Sequence, residues 1–153
     1  MIELLIMKFK SSSPEETRKS TSLFWDDFIK KPHLGALIIC LYGDLGAGKT
    51  VFVQGLGEFL SLKEKINSPT FVIGRKYQLD NNEFENFFHF DFYRLEDIKD
   101  LDWLNWSDII NNRKNVIIIE WPERIEKFLP KERFNLSFEV LDEKTRNISY
   151  EER

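Results

Sequence analysis

Residues 41–50 read "LYGDLGAGKT", with three glycines and a lysine between positions 43 and 49. Ordering a glycine costs more backbone entropy than ordering any other residue, so such a cluster means that something approaches the main chain where side chains would obstruct it. The apolar run Ala36–Tyr42 precedes the cluster, and Phe52, Val53, Leu56, Phe59 and Leu60 follow it at helical spacing. Strand, glycine turn and helix therefore succeed one another directly. The run has no polar alternation, which predicts a strand covered on both faces, as in the parallel centre of an α/β sheet.

Outward from this unit the chain continues to alternate helix and strand. Ser13 as cap, Pro14 at the first helical position and Glu16 completing a capping box predict a helix over 14–31, with Thr17, Ser20, Leu23, Phe24 and Phe28 on one face. "SPTFVIGRKYQL" (68–79) and "FENFFHFDFY" (84–93), joined by the polar turn "DNNE", predict an antiparallel hairpin. A helix carrying Leu101, Trp103, Leu104 and Ile109 is expected over 98–112, a buried strand in "NVIIIE" (115–120) and a short helix in "PERIEKF" (122–128). "RFNLSFEVL" (133–141) and "TRNISYEE" (145–152) alternate as a closing hairpin, and "MIELLIM" (1–7) reads as a first strand. The expectation is a single α/β domain over 1–153, with helices on both sides of a mixed sheet whose parallel core is flanked by antiparallel hairpins.

Composition narrows the function. Hydrophobic residues at 42% and charged ones at 31% match an ordinary globular chain. With 26 acidic against 22 basic residues the formal charge is -4, which disfavours direct RNA or DNA binding by this chain alone. The lone cysteine, Cys40, excludes an internal disulfide and reads as a small buried residue. "MIELLIM" carries Glu3 and lacks a basic leader, and the run Ala36–Tyr42 falls far short of the ~20 residues a bilayer span needs. A cytoplasmic address without a membrane anchor is expected.

Gly43, Gly48, Lys49 and Thr50 fit the pattern G-x-x-x-x-G-K-[ST] in its required strand-to-helix setting. The object that approaches the backbone is then a polyphosphate. Main-chain amides from Gly43, Asp44, Leu45, Gly46, Ala47 and Gly48 form a nest, and the helix behind them turns its positive end to the anion. Lys49 adds a point charge, and the Thr50 hydroxyl is placed to ligate magnesium. Two acids are candidates to complete the chemistry. Glu120 ends a strand where an acid reaches metal or water, and Asp91 in "HFDFYR" is flanked by aromatics, with an ion pair to Arg94 as the alternative. Thr70 in "NSPTF" could offer a hydroxyl to phosphate or metal, or bond to local backbone instead. His89 reads as a core or hairpin histidine, with a proton shuttle as the alternative. Trp103, Trp106 and Trp121 read as packing residues, and Trp121, next to the acid, is also able to lie against a nucleotide.

Taken in order, "GDLGAGKT", "SPTF", "HFDFYR" and "EWPER" resemble the TsaE family, the small P-loop ATPases of bacterial tRNA threonylcarbamoyladenosine biosynthesis, over residues 11–146. The resemblance implies a P-loop NTPase fold that binds ATP with Mg²⁺. It implies phosphate held by Gly43 to Thr50, metal by Thr50 and Glu120, metal or water placed by Asp91, and a switch at Ser68 to Thr70. Thr17 and Arg146 are implied to border the base and ribose. The implied partners are TsaD and TsaB, the threonylcarbamoyl transferase, with tRNA reached only through that assembly. Where the family commonly has a second Thr after the glycine loop, this chain has Val51. A small-molecule or nucleotide kinase is the alternative enzyme, although only Arg113 and Arg124 lie near places a lid would need. A nucleotide-gated binding module without turnover is the alternative outside catalysis.

Overall fold

The computed structural model describes residues 6–68 and 72–151. In chain order the elements are β1 (Ile6–Ser11), α1 (Pro14–Phe28), β2 (Leu37–Tyr42), α2 (Lys49–Phe59), β3 (Gly74–Gln78), β4 (Asn86–Asp91), α3 (Asp100–Trp103), α4 (Trp106–Asn111), β5 (Asn115–Glu120), a 3-10 helix (Pro122–Phe128), β6 (Phe134–Val140) and β7 (Arg146–Glu151). The strands form one seven-stranded sheet in the order β1-β7-β6-β2-β5-β4-β3. Strands β6, β2, β5 and β4 are parallel neighbours. The edges are antiparallel, β3 against β4 on one side and β7 with β1 and β6 on the other. Both expected hairpins form.

Strands β2 and β5 carry continuous apolar side chains because both of their faces are covered. Leu37, Ile39, Leu41, Val116 and Ile118 pack against Phe24 and Phe28 of α1 and Phe52, Val53 and Leu56 of α2. Ile38, Cys40, Ile117 and Ile119 face the other way, toward Leu101, Trp106 and Ile125. Helices thus lie on both sides of the sheet. Cys40 is fully buried, and burial pushes its thiol up to about 12, so it stays protonated and packs as a small apolar group.

The start of α1 follows its sequence signals with one shift. Ser13 Oγ accepts from the Glu16 amide at 3.1 Å, while Glu16 returns its carboxylate to the Ser12 amide at 2.6 Å rather than to the cap residue itself. The helix ends at Phe28, short of Lys31. Its buried face is Thr17, Ser20, Thr21, Phe24, Trp25 and Phe28, and Leu23 is 48% exposed, contrary to expectation. One residue before Phe24 is about 100° round the helix, which turns Leu23 off the stripe. Phe59 at the end of α2 is likewise exposed.

The single helix expected over 98–112 is two short ones. Asn105, at φ 53 and ψ 45, adopts the left-handed conformation between them and breaks the hydrogen-bond ladder. Trp106 is then buried and donates Nε1 to the Phe128 carbonyl at 3.2 Å, while Trp103 is 85% exposed and is not a packing residue. "PERIEKF" winds as a 3-10 helix interrupted at Ile125. The first strand begins at Ile6 within the described residues, and residues 1–5 of "MIELLIM" lie outside them. Among the described residues no helix is long and apolar enough to cross a membrane.

Helices α1 and α2 cross closely at Gly55, where a Cβ would meet Arg18 Cα at 2.6 Å and Arg18 O at 2.7 Å. Both atoms are backbone and cannot swing aside. Gly55→Ala is therefore expected to lower unfolding stability by about 1–3 kcal/mol despite alanine's better helix propensity, as read by urea denaturation. Unchanged or raised stability would contradict this packing.

Candidate functional site

The glycine turn leaves the carboxyl end of β2 and enters α2. Gly43, Gly46 and Gly48 have φ of 152°, 78° and 98°. A Cβ at Gly43 would lie 2.8 Å from the Phe138 carbonyl oxygen, so the loop is pressed against β6 at its start. Gly48 caps α2 from the left-handed region and offers no side-chain bond to the helix amides. The first-turn N–H groups of α2, which an α-helix cannot satisfy internally, therefore face the loop cavity, together with the positive end of the helix dipole. Asp44 and Leu45 form the exposed outer turn, closed by the Ala47 amide donating to Asp44 O at 3.1 Å.

Three elements converge behind this loop. Lys49 is buried; its Nζ donates to the Gly43 carbonyl and lies 3.7 Å from the centroid of the Trp121 ring. Burial lowers the Lys49 ammonium from its usual range, against the opposing pull of Glu120, Glu123, Asp91 and Asp44. Thr50 Oγ1 donates to Glu120 Oε1 at 2.9 Å, joining the first turn of α2 to the end of β5. Trp121 follows immediately at φ 57, a left-handed conformation that turns its ring under the Lys49 ammonium and toward Tyr93, with ring centroids 4.9 Å apart. Asp91 ends β4 directly opposite Glu120 in the parallel register. It accepts the Tyr93 amide at 3.0 Å, and among the described residues it makes no ion pair with Arg94. Burial raises its carboxyl above the usual range and Glu120 adds to the shift, while the Tyr93 amide opposes it.

On the outer side of the loop lies a cleft of about 340 Å³ lined by Ser12, Thr17, Gly48, Val51, Lys144 and Arg146 among others. Arg146 Nη2 donates to Gly46 O at 3.3 Å, so β7 braces the glycine loop from outside. Ser11 Oγ spends its proton on Ser13 O at 2.8 Å, so the 2.7 Å contact between Ser11 Oγ and Thr17 Oγ1 is donated by Thr17. The Thr17 hydroxyl is thereby tied to β1, and its methyl faces Gly48. Thr17 and Arg146, far apart in sequence, both line this cleft. Thr70 and Pro69 of the "SPT" segment lie outside the described residues.

One buried polar residue beside the site reads from sequence as a core or hairpin histidine. His89 is fully buried, and its Nε2 lies 2.6 Å from Glu120 Oε2. The pleat alternation of "FFHFDF" carries the missing signal: His89 falls on the same face as Asp91, and its register partner is Ile118, two residues before Glu120.

Fold and site define a mixed α/β protein in which a glycine loop, a lysine, a hydroxyl and two strand-end acids meet at the carboxyl edge of parallel strands, an arrangement whose chemistry suits a polyphosphate with a hard cation. Residues 12–148 match the family described as threonylcarbamoyl adenosine biosynthesis protein TsaE, and the chain belongs to that family. It is 33% identical over 147 residues to the tRNA threonylcarbamoyladenosine biosynthesis protein TsaE of Bacillus subtilis, covering 94% of this chain and 84% of the relative. With the protein of the same name from Treponema pallidum it shares 30% identity, covering 94% and 98% respectively. The crystal structure of Bacillus subtilis YdiB is similar at a TM-score of 0.68 and 26% identity, covering 99% of this chain and 88% of that one.

Because the folded state raises the Asp91 carboxyl, ionising it costs stability once the pH exceeds its folded-state value, and that cost vanishes below the unfolded value. Asp91→Asn keeps the acceptor for the Tyr93 amide and removes the charge. The variant is expected to melt above the parent at neutral pH, the gap closing as pH falls through the carboxylate range. A neutral-pH melting temperature below the parent's would contradict the direction of this shift.

Proposed function

We propose that this chain is a P-loop ATPase working in tRNA threonylcarbamoyladenosine biosynthesis, binding ATP with Mg²⁺ and coupling its hydrolysis to the turnover of a TsaD–TsaB transferase. The observation that carries the reading is the Thr50–Glu120 bond at 2.9 Å, formed beside the buried Lys49 at the mouth of the glycine loop. The naming of the relatives and the ordered motifs support the pathway. The cytoplasm is the compartment in which such a reaction belongs.

The residues fit the cation the family implies. Among the described residues no three His, Cys, Asp or Glu side chains cluster as a protein-only metal cage. Magnesium does not require one, since it is held by one or two carboxylates or hydroxyls together with phosphate oxygens and water. Thr50 and Glu120 would hold it, with Asp91 beside them, and it would supply charge neutralisation on the β and γ phosphates. The first-turn amides of α2 and the loop amides bind the anion, and the Lys49 ammonium exchanges the Gly43 carbonyl for phosphate oxygens. Base and ribose occupy the cleft between Thr17 and Arg146. Water attacks the γ phosphorus, the bond to the bridging oxygen breaks, and ADP leaves with that electron pair. Asp91 orients the water and accepts its proton, a task that suits a carboxylate whose affinity for protons burial has raised.

Phosphate release on mixing the chain with TsaD, TsaB, ATP and magnesium tests the proposal, with stimulation over the chain alone as the expected result. Lys49→Ala is expected to reduce that release about a hundredfold or more, the scale seen when a charge-stabilising donor is removed. Parent-like hydrolysis by the variant would place the chemistry elsewhere. Absence of both binding and stimulation at saturating partner concentration would remove the partner assignment.

A further inference from the structure

His89 takes no part in the loop or the cleft, yet among the described residues it lies inside the sheet with one polar contact. Its Nε2 meets Glu120 Oε2 at 2.6 Å, and its Nδ1 is buried without a hydrogen-bond partner among the described residues. The other oxygen of the same carboxylate, Oε1, accepts from Thr50. Two elements therefore hold the two oxygens of Glu120, β4 behind and α2 in front. Packing alone does not account for an imidazole here: β4 is otherwise lined by Phe87, Phe88 and Phe90, and a further phenylalanine would bury no unpaired nitrogen.

The last torsion of a glutamate side chain is broad and twofold, so nothing intrinsic fixes which way the carboxylate plane turns. A buried donor from a neighbouring strand can fix it. The parallel register sets His89 against Ile118, one pleat behind Glu120 on the same face, and so the donor sits on the rigid centre of the sheet rather than on a loop. We propose that His89 is a positioning residue for Glu120: by donating its Nε2 proton to Oε2 it holds the carboxylate plane so that Oε1 stays turned to the Thr50 hydroxyl, where the cation binds. This rests on the reading of Thr50 and Glu120 as the magnesium holders. Outer partners of this kind are worth about 10–100-fold in metal affinity.

The test is calorimetry of ATP binding with and without magnesium, on the full chain and on His89→Leu, His89→Gln and His89→Asn. The Gln amide nitrogen falls near the place of Nε2, whereas the Asn amide ends near Nδ1 and stops short of Glu120. The parent is expected to gain affinity from magnesium. His89→Leu and His89→Asn are expected to lose about tenfold of that gain with magnesium-free affinity unchanged, and His89→Gln to recover most of it. A folded Leu variant with the parent's magnesium gain overturns the proposal. If the Leu variant does not fold, the amide pair decides, and equal gains in Gln and Asn variants overturn it. A parent that binds ATP with no magnesium gain contradicts the underlying reading of Thr50 and Glu120 instead.

Discussion

The hydroxyl of Thr50 donating to the carboxylate of Glu120 is the contact on which the rest of the site depends. It joins the turn that begins α2 to the strand that ends in the acid, and it forms only because β2 and β5 are parallel neighbours that finish at the same edge. That adjacency is secured by apolar packing on both faces, with Leu37, Ile39 and Leu41 turned to α1 and α2 and Ile38 and Cys40 turned to the opposite layer. The burial that holds the strands thereby also fixes the oxygens of Thr50 and Glu120 relative to one another, the rigidity that the proposed cation site would need.

Fixing them has costs that the fold carries visibly. Lys49, His89 and Glu120 are all buried, where an uncompensated charge or an unpaired nitrogen is unfavourable. Trp121 is held at φ 57 next to Pro122, a left-handed conformation that costs a bulky residue on the order of 1–3 kcal/mol. The same conformation brings its ring beneath Lys49 and beside Tyr93. Asp91 is burdened in the same way, with its carboxyl raised by burial rather than relieved by Arg94. Strain and desolvation are therefore present where the strand ends meet the glycine loop. Ionisable groups buried and shifted together in a cleft mark a candidate functional site.

Much of this was legible in the sequence because local chemistry dictated it. Glycines at 43, 46 and 48 announced a main chain that something approaches closely, and the uniform apolar runs before the loop and before Glu120 announced buried strands. What was not legible depended on tertiary choice. Nothing in the periodicity of residues 98–112 distinguishes an unbroken helix from one interrupted by Asn105 in the left-handed region, a conformation asparagine tolerates better than most residues. Leu23 and Trp103 look like core by type, and only their angular positions expose them. His89 looks like a core or hairpin histidine in sequence because its side-chain partner among the described residues lies on another strand. The convergence of Thr17 and Arg146 on one cleft entered through family resemblance; spacing could not have supplied it.

Membership of the TsaE family places the chain in a group whose relatives are named for tRNA threonylcarbamoyladenosine biosynthesis, and the geometry gives that membership a physical centre in the loop amides and the Thr50–Glu120 clasp. Backbone amide shifts, followed by NMR as ATP and magnesium are added to the full chain, test this centre most directly. The account predicts large, saturable shifts at the amides from Gly46 to Thr50, with Glu120 and Asp91 responding. Saturating nucleotide that leaves those amides unmoved while the chain stays folded would contradict it.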